Sequence, residues 1–171
     1  LKALYDAEWD YNQARIGSVK LPDGSYGPRT RLAPVDPASY QARAEYAQGL
    51  LAQLDTIPLS ELSNEDRINA AVFRTNLEHV LIDNQYRVWE MPFNSDSNFW
   101  TYLHNASNLR TADDYSAYIA RMRDVPRYFG QNIDNMRTGL ARGFSVPKVT
   151  LEGREASITS FITDNAEANA F

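Results

Sequence analysis

The stretch from Asp113 to Val149, DDYSAYIARMRDVPRYFGQNIDNMRTGLARGFSVPKV, restricts the fold more than any other part of the chain. Tyr115, Tyr118, Ile119, Met122 and Val125 recur at steps of one turn of helix, as do Phe129, Ile133, Met136 and Leu140. That period belongs to an α-helix with an apolar stripe; in a strand, alternate residues would share a face. Pro126 must break or redirect the first run, because it has no N–H to donate and its ring crowds the preceding turn. Gly143 follows the second run, where a helix end favours a residue free to take positive φ. Two amphipathic helices joined at a proline and closed by a glycine are predicted. The block carries no catalytic constellation.

The rest of the chain reads in the same terms. Leu1 to Arg15 is a short helix with Leu4, Tyr5, Ala7, Trp9 and Tyr11 as its larger groups. GSVKLPDGSYGPRTRLAPVDP, with four prolines and three glycines, is a linker. The chain therefore divides into residues 1–35, a helix plus linker, and 36–171, a helical domain. Asp36-Pro37 joins an N-cap acceptor to a proline at the first helical position. Tyr40, Ala44, Ala47, Leu50, Leu51 and Leu54 then keep helical period until Pro58 stops the element.

Ser63 caps a third helix, and Glu65 and Asp66 suit the positive end of its dipole. Ile68, Val72, Thr75, His79, Ile82 and Tyr86 form one stripe; Phe73, Leu77, Leu81 and Val88 form another on nearly the opposite side. A helix apolar on two sides is sandwiched between neighbours, which places it at the centre of a bundle. Pro92 ends it, and MPFNSDSNFWTYLHNASN is aromatic and irregular, with a turn of helix at Phe99 to His104. Thr111-Ala112-Asp113-Asp114 caps the next helix. A polar helix runs from about Leu151 to Phe161, and the only strand-like pattern is Val146 to Leu151. The prediction is an all-α fold, an irregular multi-helix bundle of about six helices with long loops.

Composition narrows the function classes. With 43% hydrophobic and 23% charged residues, the 171-residue chain has the balance of a soluble globular protein. Seventeen basic against 22 acidic residues give a net charge of -5, which disfavours a nucleic-acid partner, since phosphate binding needs clustered Lys and Arg. Arg121, Arg123, Arg127, Arg137 and Arg142 are interleaved with Asp113, Asp114, Asp124 and Asp134, the pattern of a solvated helix surface. There is no cysteine, so disulfides, thiol nucleophiles and Cys-based metal sites are excluded. No run is long and apolar enough for a transmembrane segment, and LKALYDAEWD lacks the apolar centre of a signal peptide.

Few residues invite chemistry. His79 and Asp83 lie one turn apart and share a face, but two ligands do not make a metal site, and a satisfied helix histidine is the favoured reading. Trp89 precedes the loop; Phe99, Trp100, Tyr102 and His104 crowd its aromatic part. These residues either fold back over the core, the favoured reading, or line a ligand cleft. Glu61, Glu65 and Asp66, and Asp113 with Asp114, sit at helix starts, where capping and dipole effects account for them without acid–base catalysis. Asn105-Ala106-Ser107 fits a glycosylation triplet. Phosphate loops, Gly-x-Ser-x-Gly elbows and His-Glu-x-x-His helices are absent from the sequence. No catalytic, cofactor-binding or metal-binding residue is assigned.

The order LSNEDRINAAVFRTNLE, WEMPFN, the Tyr115–Pro147 block and a tail ending in NAF resembles the N-terminal part of a bacterial family catalogued as domain of unknown function 885. The resemblance spans about Pro37 to Phe171. It implies a large, mostly helical protein akin to zinc metallopeptidases, exported to the periplasm or lipid-anchored, with a His-Glu-x-x-His helix in its C-terminal part. No position here matches that helix, so the zinc implied by the resemblance belongs to the full-length parent. The expectation is an N-terminal fragment that is not itself catalytic. It would form part of a substrate-cleft wall against the C-terminal catalytic part of the same chain, with a peptide as substrate and Trp89 to His104 facing the cleft. The alternative is a self-contained helical binding or structural module without enzymatic activity.

Overall fold

The computed structural model describes residues 1–94, 96–101, 103, 109–159, 161–165 and 167. Six α-helices follow in order among them: α1 (Lys2–Arg15), α2 (Pro37–Asp55), α3 (Asn64–Tyr86), α4 (Ala112–Arg123), α5 (Val125–Ala141) and the single turn α6 (Ala156–Thr159). Short 3-10 turns lie at Leu59–Glu61, Val88–Glu90 and Lys148–Thr150. Lys20 and Tyr26 form one isolated antiparallel bridge, and no strand occurs among the described residues. The fold is all-α, as the periodicity predicts.

Two differences lie near the end of the chain. The helix expected over Leu151 to Phe161 shrinks to α6, because Gly153 takes a φ of +76°, which interrupts helical backbone. The strand-like Val146 to Leu151 segment contains the 3-10 turn after Pro147 instead.

The chain forms two compact units, one of Leu1–Gly27 with Ala33–Val88, the other of Pro28–Leu32 with Trp89–Phe171. The first is built on α2 and α3. Asp36 accepts from the Ser39 amide and Ser63 from the Asp66 amide, so both helices start at their predicted caps. Leu4, Ala47, Leu50, Leu54, Ala70 and Leu77 make its core, with Phe73, Val80 and Leu81 packed against it. Burying each leucine there stabilises by about 1.5–3 kcal/mol. Tyr46 ties α1 to α2: its hydroxyl donates to the Ala7 carbonyl at 2.9 Å, and its ring stacks on Tyr11.

The sandwiched position expected for α3 is not found. Ala70, Phe73 and Leu77 face α2, whereas Ile68 is 66%, Val72 55%, Ile82 47% and Tyr86 60% exposed. Val88, placed by spacing on the inner stripe, is exposed as well. Within this unit α2 covers one side of α3, and no described layer lies on the other.

In the second unit α4 and α5 meet at Asp124, with Pro126 in the first turn of α5. Arg127 grips both Asp124 carboxylate oxygens at 2.6 Å and also donates to the Leu32 carbonyl at 2.8 Å. The Leu32 amide donates to Asp124 in turn, at 2.8 Å, which fastens the Pro28–Leu32 segment to the helix junction. The Arg127 hydrogen bond, helped by the Leu32 amide, holds the Asp124 carboxyl below its usual pKa against the opposing effect of burial. Helix α5 ends as Gly143 predicts. With Gly143 at φ +76°, the Phe144 amide bonds the Gly139 carbonyl and the Gly143 amide bonds Leu140, a Schellman arrangement.

The inward faces of α4 and α5 differ from their apolar stripes. On α4, Ala117 is buried while Tyr115 and Ile119 are exposed. On α5, Asn132, Asn135 and Gly139 are buried, whereas Leu140 is 68% exposed. Asn132 can turn inward because its side-chain amide donates to the Tyr128 carbonyl at 2.9 Å.

Candidate functional site: an aromatic cluster and a buried carboxylate

Side-chain turns, in place of regular structure, shape the aromatic segment of the second unit. The Asn94 side chain accepts from the amides of Asp96 and Ser97, and Asn98 accepts from those of Trp100 and Thr101. The second of these turns aims Trp100 inward. Its indole N–H donates to the Ser157 hydroxyl at 3.1 Å, and the residue is 4% exposed. Phe93 and Phe99 meet Trp100 edge-on, with ring centroids 5.1 and 5.0 Å away. Phe99 also meets Phe129 at 5.1 Å and Tyr128 at 5.9 Å, so the segment is anchored to α5. Burial raises the Tyr128 phenol above its usual pKa. Each such edge contact adds about 0.5–1.5 kcal/mol beyond area burial.

Among the five aromatic-segment candidates, Trp89 and Trp100 are buried and Phe99 is half-buried. Tyr102 and His104, like the Asn105 triplet, lie outside the described residues. The cluster joins Phe99 to Trp100. His79 and Asp83 are exposed on α3. No group of three or more His, Asp or Glu able to hold a metal ion occurs among the described residues. Ser63 with Asp66, and Thr111 with Asp114, cap their helices as expected, the second pair as a complete capping box.

Sequence reasoning missed Glu90. It is 4% exposed, and its carboxylate accepts from the Arg142 guanidinium. Arg142 in turn lies 4.2 Å over the Phe144 ring. Gly139 makes room for the pair, since a Cβ there would come within 2.9 Å of the Glu90 backbone oxygen and 2.7 Å of that of Phe144. A buried carboxylate needs such a partner, because desolvation otherwise costs several kcal/mol. The signals were present in WEMPFN and GLARGF, but nothing in their local spacing links positions 52 residues apart. Chemically this second arrangement is a fixed ion pair whose guanidinium lies over the Phe144 ring.

A family profile described as "Bacterial protein of unknown function (DUF885)" matches residues 16–171. The chain belongs to this family. The match begins at Ile16, so it takes in the linker as well as the region from Pro37. No curated protein and no solved structure matches the chain. DUF885 membership fixes kinship and assigns no role. Among the described residues, no helix is long and apolar enough to cross a membrane.

Proposed function

We propose that this chain is a non-catalytic helical region of a larger hydrolase akin to zinc metallopeptidases, and that it walls part of a substrate cleft. The carrying observation is the apolar surface left on three helices. Val72 on α3 is 55%, Tyr115 on α4 53% and Leu140 on α5 68% exposed, each within a run of helical period. A helix facing water has no use for such a stripe, and exposed apolar faces mark surfaces that meet protein. In this reading the C-terminal catalytic part of the same polypeptide covers them.

The zinc implied by kinship finds no ligand set among the described residues, so no catalytic step is assigned to them. The reading places the His-Glu-x-x-His helix elsewhere in the polypeptide, takes a peptide as substrate, and includes export or lipid anchoring on resemblance alone. The aromatic segment is its cleft-facing part, with Trp100 as inner support and Phe99 as the outer ring.

Residues 1–171 contain no cysteine, so a thiol introduced among them can be followed in peptides from this region. In the complete gene product, a Val72→Cys thiol should react with maleimide far more slowly than in residues 1–171 alone. Rapid labelling in both, or a gene that ends at Phe171, overturns the reading. The self-contained binding module is supported by the same stripes. It requires that protection appear only when a separate protein is added.

A further inference from the structure

The first unit contains a cavity of about 400 Å³, remote in sequence from the aromatic segment. It forms where α2 ends and the chain turns through Pro58 and the Leu59–Glu61 turn into α3. Leu54, Ile57, Leu59, Leu62, Ala70 and Ala71 make its apolar wall. The two alanines leave the space, since each sets only a methyl group where a larger side chain would fill it. The volume falls within the roughly 300–1,000 Å³ of small-molecule sites.

Charge at the rim is unequal. Arg67, Arg74 and Asp55 all border the cavity. Arg74 is paired with Asp55 at the end of α2. Arg67 is held differently: its Nε donates to the Leu62 carbonyl at 3.2 Å, in the connection that lines the cavity. Among the described residues its two Nη groups make no hydrogen bond, so that edge of the exposed guanidinium is open to a carboxylate. Two positive charges against one negative leave the rim net positive by one. A guanidinium at the rim of an apolar pocket suits a planar carboxylate carrying an apolar tail, because the fork geometry matches both oxygens.

We propose that this cavity binds an apolar monocarboxylate, with the tail against Leu54, Leu62 and Ala70 and the carboxylate on Arg67. The same chemistry is offered by a medium-chain fatty acid and by the apolar C-terminal residue of a peptide. The site stands apart from the hydrolase reading and does not depend on it.

Calorimetric titration of the chain with octanoate, octylamine and N-acetyl-leucyl-leucine tests the assignment. At least one carboxylate should bind and octylamine should not; the tighter carboxylate identifies a lipid or a peptide source. Arg67→Gln should weaken binding about tenfold or more, as loss of one charge-assisted contact implies. Arg74→Gln should change it less. Ala71→Leu, at an exposed wall position, should abolish it. Melting temperatures of the variants must match the parent, since none of these positions is in the core. Equal binding of octylamine, no binding of either carboxylate at millimolar concentration, or unchanged affinity in folded Arg67→Gln or Ala71→Leu overturns the proposal.

Discussion

The two compact units solve the same problem by different means. The first relies on aliphatic faces: Leu50 and Leu54 of α2 meet Ala70 and Leu77 of α3, and all four are at most 4% exposed. The second has fewer aliphatic groups inside and relies on directed contacts: edge-packed rings, the Asp124–Arg127 clamp, and the Glu90–Arg142 pair seated on Gly139. Apolar packing is non-directional and tolerates small shifts, whereas directed contacts fail when one partner moves. The contrast predicts different responses to substitution.

The largest effect should fall on the aliphatic unit. Leu50→Ala removes a side chain that is 2% exposed and should cost about 2–5 kcal/mol in urea unfolding. A cost near zero would show that the α2–α3 interface does not hold that unit. Next comes Gly139→Ala, whose added methyl meets backbone atoms of Glu90 and Phe144 that cannot swing away. It should cost about 1–3 kcal/mol and increase amide exchange around Glu90. If the variant melts with the parent, the close approach carries no weight.

Acid should sharpen the comparison further. The Asp124 carboxyl is held below its unfolded value of 3.8, so the unfolded chain takes up the proton first. The clamp's contribution is therefore complete above that value and lost as pH falls through the lower, folded one. Stability measured at about pH 5 and about pH 2 should fall more for the parent than for Asp124→Asn, which has no such proton to gain. Equal losses would remove the clamp from the account. The smallest effect is expected at Val72→Asp, within about 0.5 kcal/mol, because the side chain is 55% exposed and mid-helix on α3. A loss of several kcal/mol in the isolated chain would mean the stripe is already covered.

Helix ends were the most legible part of the sequence. Asp36, Ser63, Thr111 and Gly143 act where their chemistry places them, because capping is decided within one turn of chain. The α2 stripe was legible for a similar reason, being apolar on one side only. Choosing the inner face of α3 or α5 was not possible from periodicity. A stripe records which residues avoid water, not which neighbour covers them. On α5 the inner face carries Asn132, Asn135 and Gly139, residues that hydrogen bonding and close approach bring inside. In the candidate site, Trp100 and Phe99 were picked out by aromatic density. Glu90 was hidden, since its burial depends on Arg142, far along the chain.

The grip of Asp124 and Arg127 on Leu32 bears on how the polypeptide can be shortened. A version beginning at Asp36, the natural choice if the proline-rich stretch were a mere tether, would discard the Leu32 backbone N–H and carbonyl that the two side chains hold. The acid and the base would keep each other, yet each would lose a backbone companion at the bend between α4 and α5. Trimming meant to tidy the molecule would instead loosen a joint whose missing piece lies 92 residues upstream of Asp124.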